Sequence, residues 1–164
     1  METLNERDVF RIAFNRNMSD NLLKQTQIDA AKISWVYDVL PESFFADVEE
    51  TPGNYDTLIS EYIHPIWAWG VVYNNFNYFT MQITDKGIVQ MLVENTANVV
   101  SEQARNEAKM EIKQTIFNFI RRMDLYCKSK VAEDDPLFAN YGTLKITPKL
   151  FHYVGEAKRN SIRY

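Results

Sequence analysis

Apolar positions in the first quarter of the chain return at helical spacing. Leu22/Leu23, Ile28, Ala30/Ala31, Ile33 and Val36/Tyr37 step by threes and fours up to about Leu40, which predicts an amphipathic helix with Asp20 as its N-cap. Pro41-Glu42-Ser43 opens a second, shorter helix carrying Phe44, Phe45 and Val48, with an acid in its first turn. Thr51-Pro52-Gly53-Asn54 is a loop by composition, and residues 4–13 fit either a helical turn or an edge strand. From Tyr55 to about Phe79, Leu58, Tyr62, Ile66, Trp69, Tyr73 and Phe76 form one stripe while Trp67, Val71 and Tyr78 lie on another side. A helix apolar nearly all round must be covered from more than one direction. Pro65 predicts a kink there, or a fresh start with His64 near the cap.

The pattern changes at Thr80. Met81 and Ile83 alternate with polar neighbours, and Thr84-Asp85-Lys86-Gly87 is a turn signal, which together predict an extended loop or hairpin near 80–89. Ser101 to about Lys130 is the longest helix, with Ala104, Ala108, Ile112, Thr115/Ile116, Phe119, Met123 and Tyr126/Cys127 as its expected apolar stripe. Arg105, Lys109 and Lys113 line one flank, and Glu107 and Glu111 lie nearly opposite. Like charges four residues apart cost about 0.2–0.5 kcal/mol per pair, so either solvent tolerates them or something beyond the helix compensates. After Glu133-Asp134-Asp135-Pro136 the helical period stops, which predicts a C-terminal arm that pairs back or reaches a neighbour. The expected fold is mainly α: a compact helical bundle over 1–130, an extended segment near 80–89, and an extended C-terminal extension over 131–164.

Charge sharpens this picture. Residues 1–32 carry five acids and five bases, residues 33–85 carry eight acids and no Lys or Arg, and residues 86–164 carry nine acids and thirteen bases. Opposite charges on the middle and the end of the chain either pair within one molecule or meet between copies, and head-to-tail contacts of that second kind close into rings. The candidate inter-subunit charges are Arg105, Lys109 and Lys113 against Glu42, Glu49 and Glu50. A net charge of −4 argues against a protein that grips nucleic acid by neutralising phosphates. Three Trp, nine Tyr and ten Phe supply more aromatic surface than a core needs, and aromatic residues favour interfaces. With one cysteine and no apolar leader pattern, synthesis in a reducing cytosol is expected, and no apolar run is long enough to predict a membrane span.

Catalytic chemistry is hard to assemble from these residues. His64, His152 and Cys127 are too few for the common zinc sites, and the five glycines are too dispersed for a P-loop or a dinucleotide fingerprint. His64, beside Pro65 and ahead of Trp67, reads as a packed or capping side chain. Glu42/Glu49/Glu50 and Glu133/Asp134/Asp135 could hold a cation, but acidic clusters of this kind are usually solvated. The expectation is a protein that is not an enzyme, with no cofactor and no metal.

The order of elements resembles the head-tail connector, or neck adaptor, proteins of tailed bacteriophages, in particular those of crAss-like and other Bacteroidales phages. The residues that carry the likeness are Ile28-Asp29-Ala30-Ala31, Tyr55-Asp56-Thr57-Leu58-Ile59, Ile63-His64-Pro65 with the aromatic helix after it, and Ile83-Thr84-Asp85-Lys86-Gly87-Ile88-Val89, completed by the helix from Ser101. The likeness covers about residues 4–130; the tail after Asp135 departs from it. It implies a structural virion protein made in the host cytoplasm and placed at the head-tail interface. There it would form a homo-oligomeric ring, commonly of twelve copies, that docks under the portal protein, seats the next ring or tail component, and lets DNA pass through its lumen unread. On that resemblance Met81, Ile83, Asp85, Lys86, Gly87 and Ile88 are the expected contact loop. The alternative from the residues alone is a helical partner-binding or regulatory module without catalytic activity.

Overall fold

The computed structural model describes residues 1–14, 22–77 and 102–145. Within them the protein is mainly α-helical, and no strand occurs among the described residues. Helix α1 spans Glu6–Phe14, which resolves the ambiguity of the first residues in favour of helix. Asn5 and Asp8 cap it reciprocally: the Asp8 N–H donates to Asn5 Oδ1 at 3.1 Å, and the Asn5 N–H donates to Asp8 Oδ2 at 3.2 Å.

Helix α2 covers Gln25–Lys32. It therefore begins after Lys24; the expected cap Asp20 lies outside the described residues, and Leu22 and Leu23 are buried in a bend ahead of the helix. The backbone amides of Leu22 and Leu23 donate to Glu6 Oε1 at 2.6 and 2.8 Å, so α1 fixes the approach to α2. At Lys32 the helix widens into a π-turn, Ile33–Tyr37. Helix α3 spans Glu42–Glu50 from the proline start, as the sequence predicts. A 3₁₀ turn, Pro52–Tyr55, occupies the expected loop and leads through the short α4, Asp56–Leu58, into a second π-turn, Ile59–Ile63, and then α5, His64–Asn74.

The two π-turns share a local feature. Each opens on Ile-Ser, and in each the serine hydroxyl donates four residues back: Ser34 Oγ to the Ala30 carbonyl at 3.1 Å and Ser60 Oγ to the Asp56 carbonyl at 2.7 Å. A widened turn disturbs the regular i to i−4 ladder, and the hydroxyl supplies a donor where the ladder is disturbed. In the second case Pro65 adds a reason, because its ring collides with the carbonyl four residues earlier in a regular helix and its nitrogen donates nothing. The chain therefore breaks regularity before the proline, at Ile59–Ile63, and Pro65 sits in the first turn of α5.

Helix α5 is the hub. Ile66, Trp67, Ala68, Gly70, Val71 and Val72 are all buried, with α1, α2 and the long helix packed round it. The apolar-all-round reading holds, but the burden is shared differently: Trp67 and Val71 are fully buried, whereas Tyr62, Trp69 and Tyr73 are half-buried. Gly70 is required by its neighbour, since a Cβ there would stand 2.5 Å from Trp35 Cδ1. The last helix, α6, spans Glu102–Ala132 and is about 46 Å long at 1.5 Å per residue. Its buried residues are Ile116, Phe117, Ile120, Met123 and Cys127, so only its second half enters the core. The predicted stripe holds at Ile116, Met123 and Cys127, which are buried, and at Ile112, Phe119 and Tyr126, which pack half-buried against the core; Phe117 and Ile120 join it on the inside, and Ala104 is exposed.

Beyond α6 the chain reverses at Asp134, whose φ of 56° is left-handed, and Asp135 caps a 3₁₀ turn, Pro136–Phe138. The described part of the C-terminal extension pairs back onto the bundle. Phe138 and Tyr141 are buried with Phe44 and Tyr55, at ring separations of 5.1 to 5.7 Å. Tyr141 donates its hydroxyl to Asp124 Oδ1 at 2.8 Å, Tyr55 donates to the Leu137 carbonyl at 2.8 Å, and the Lys145 N–H donates to the Val39 carbonyl at 2.9 Å. No buried polar or charged residue occurs among the described ones.

Candidate functional site

The most unusual surface among the described residues lies where α6 extends past the end of α5. The second π-turn and α5 run antiparallel to α6: Tyr62 stacks on Tyr126 at 5.1 Å, and near the end of α5 Lys109 Nζ stands 4.9 Å from the Tyr73 ring centre. Helix α5 ends at Asn74, so α6 residues N-terminal to Lys109 extend past it. Arg105, Lys109 and Lys113 lie eleven, seven and three residues before Ile116, which places them on the same line as the core stripe. Among the described residues, the inner face of α6 thus changes from apolar to cationic toward the level at which α5 ends.

Two of these cations rest on aromatic rings. Lys113 Nζ is 5.6 Å from the Phe117 ring centre and Lys109 Nζ sits over Tyr73, each contact worth about 0.5–1 kcal/mol at a partly exposed site. Trp35 completes the platform, edge-on to Tyr73 at 5.3 Å and to Phe117 at 6.4 Å, with its indole N–H donating to Asn74 Oδ1 at 3.1 Å. These rings partly compensate the like-charge cost seen in the sequence. No ion pair joins Arg105, Lys109 or Lys113 to a carboxylate among the described residues.

The acids follow a different geometry. Glu49 is held at home, its Oε1 2.6 Å from Lys32 Nζ, and Lys32 also lies 5.5 Å from the Trp67 ring centre. Glu42 and Glu50 are exposed on α3 with no ion pair among the described residues. The structure therefore brings none of the three acids to the three bases within one chain. The expected contact-loop residues Met81, Ile83, Asp85, Lys86, Gly87 and Ile88 lie outside the described residues. The sequence signal missed here was Trp35, which the periodicity left out of any stripe, and Tyr73, which read as core stripe; both serve in the platform under the cations.

Other polar features are local. A pocket of about 400 Å³ is lined by Glu2, Pro52, Gly53, Asp56, Ile59, Ser60 and His64. His64 Nε2 is buried without a hydrogen-bond partner, and burial holds the imidazole pKa below its ordinary 6.5 despite the opposing pull of Glu2 and Asp8. A base with a lowered folded pKa binds more protons when unfolded, so stability rises with pH from the folded pKa up to 6.5 and falls as acid charges the ring. The urea midpoint is expected to drop between pH 7.5 and 5.5, and His64→Gln is expected to flatten that drop; an unchanged slope contradicts the assignment. Cys127 is buried, and desolvation pushes its thiol up to about 12, which keeps it protonated and unreactive. Among the described residues no group of three or more His, Cys, Asp or Glu side chains is placed to hold a metal ion, and no helix is long and apolar enough to cross a membrane.

One family model, described as a family of unknown function (DUF6712), matches residues 20–143. No curated protein and no solved structure matches the chain.

Proposed function

The chain belongs to the DUF6712 family, a family of unknown function; on the likeness in its order of elements and on the surface of α6 we propose that it is a head-tail connector: a structural virion protein that forms a ring beneath the portal and links the capsid to the tail around the DNA channel. The observation that supports the reading is the overhang of α6. Among the described residues, no side chain of the 31-residue α6 ahead of Ile116 is fully buried, so the ordering of that stretch is offset by less burial than that of the stretch from Ile116 onward. Such a stretch makes physical sense as a surface completed by another molecule. The charge asymmetry points the same way, because cations gathered on the inner line of a helix are an unfavourable way to face solvent alone. The order of elements supports it too: the short helices α1 to α4, then the aromatic central helix α5, and one long final helix α6.

Antibody labelling of purified phage particles tests the location. Label is expected at the vertex between head and tail, in ring-like register with the portal. Particles free of the protein, with the chain confined to infected-cell lysate, would overturn the reading in favour of a helical partner-binding or regulatory module.

A further inference from the structure

We infer that the cationic line of α6 is one half of a contact between copies of this chain, and that the edge formed by α3 and the turns after it is the other half. The inference rests on the connector reading and specifies the partner of its exposed helix: a second copy, docked head to tail.

Three observations carry it. First, the two charged surfaces stand apart in one molecule. Lys113 precedes Asp124 by eleven residues, about 16 Å along the α6 axis. Asp124 accepts from Tyr141, which packs on Phe44 of α3, so α3 is tied to the C-terminal end of α6 while the cations occupy the other end. Second, each side is left with unspent charge. Glu49 pairs with Lys32, whereas Glu42, Glu50, Asp56 and Glu61 are exposed and have no ion pair among the described residues, and residues 33–77 contain no Lys or Arg to neutralise them. Third, the cations are prearranged. Lys109 and Lys113 are half-buried against Tyr73 and Phe117, so less side-chain freedom is lost when a carboxylate arrives than for a lysine extended into solvent.

A contact that joins one end of a subunit to the other end of the next is heterologous, and it closes into a ring when the rotation per subunit divides a full turn. Charge complementarity sets register more than affinity, which suits a ring seated on another component.

A charge-swap pair of full-length chains tests this by analytical ultracentrifugation at low and high salt. K109E/K113E and E42K/E50K are each expected to lose the wild-type oligomer, with helical circular dichroism unchanged. Mixed in equal amounts they are expected to recover it, since every junction between unlike variants is complementary. Salt above about 0.5 M, where the Debye length falls to a few ångström, is expected to weaken the wild-type oligomer.

Variants that assemble as well as wild type overturn the contact. A mixture that stays dissociated does the same. Wild type that stays monomeric at all concentrations yet joins the portal overturns the contact and leaves the connector reading standing. Oligomers that obey the charge swap but ignore the portal leave the contact and overturn the connector reading. If K109E/K113E melts the fold of a monomeric wild type, the cations are covered by their own chain. If the monomer instead binds duplex DNA through those lysines, the partner is nucleic acid. Each of these two results overturns the inference.

Discussion

Trp67→Ala is expected to lower stability by about 3–5 kcal/mol, the range for removing a large aromatic side chain from a close-packed core. Trp67 is fully buried at the centre of α5, where α2 and α5 meet. Its indole N–H donates to the Ile28 carbonyl at 2.6 Å, and the Lys32 ammonium lies over its ring. Alanine leaves a cavity that backbone elements on several sides cannot collapse to fill, removes a buried donor, and takes the support from beneath the Lys32–Glu49 pair. Trp67→Phe keeps most of the ring and loses the donor, so a smaller loss of about 1–2 kcal/mol is expected. Urea unfolding followed by far-ultraviolet circular dichroism measures both. A loss under about 1 kcal/mol for the alanine variant would show that the residue is not central to the core.

The second large effect concerns the C-terminal extension. A chain ending at Lys130 is expected to lose cooperative unfolding and near-ultraviolet signal, while a chain ending at Lys145 keeps both. The shorter chain lacks Phe138 and Tyr141, which fill the cluster with Phe44, Tyr55 and Tyr126. It also strips the Tyr141 hydroxyl from Asp124 and the Leu137 carbonyl from Tyr55. Deleting two buried aromatic residues removes several kcal/mol from a fold whose whole stability is about 5–15 kcal/mol. Calorimetry of the two truncated chains decides the matter, and a cooperative transition in the shorter one would contradict the packing described above.

The sequence made some of this legible and hid the rest for physical reasons. Pro41 before an acidic first turn fixed the start of α3, and the all-round apolar character of the residues after Tyr55 announced a central helix. The π-turns were not readable from periodicity, because one extra residue in a turn shifts the face by about a quarter turn and disguises itself as noise; the Ile-Ser pairs were the available sign. That shift returns Val36, five residues after Ala31, to the buried face, while Ile33, two residues after Ala31, is 58% exposed. In α6 the expected stripe ran too far toward the N-terminus: Ala104 is exposed and Ala108 only half-buried, whereas Ile116, Met123 and Cys127 are buried as expected. The cations Arg105, Lys109 and Lys113 were seen as a flank, and only the fold shows that they continue the core line through Ile116. Their aromatic platform is assembled from three separate elements, and no local pattern reports that.

The account depends on this chain being a subunit whose overhanging helix is completed by neighbours. Native mass spectrometry of the protein, alone and with a tailed-phage portal protein as the proposed partner, tests that most directly. The expected spectrum with portal contains a closed ring of many copies bound to the portal at a fixed ratio. A 19.2 kDa species that stays alone in both samples would contradict it.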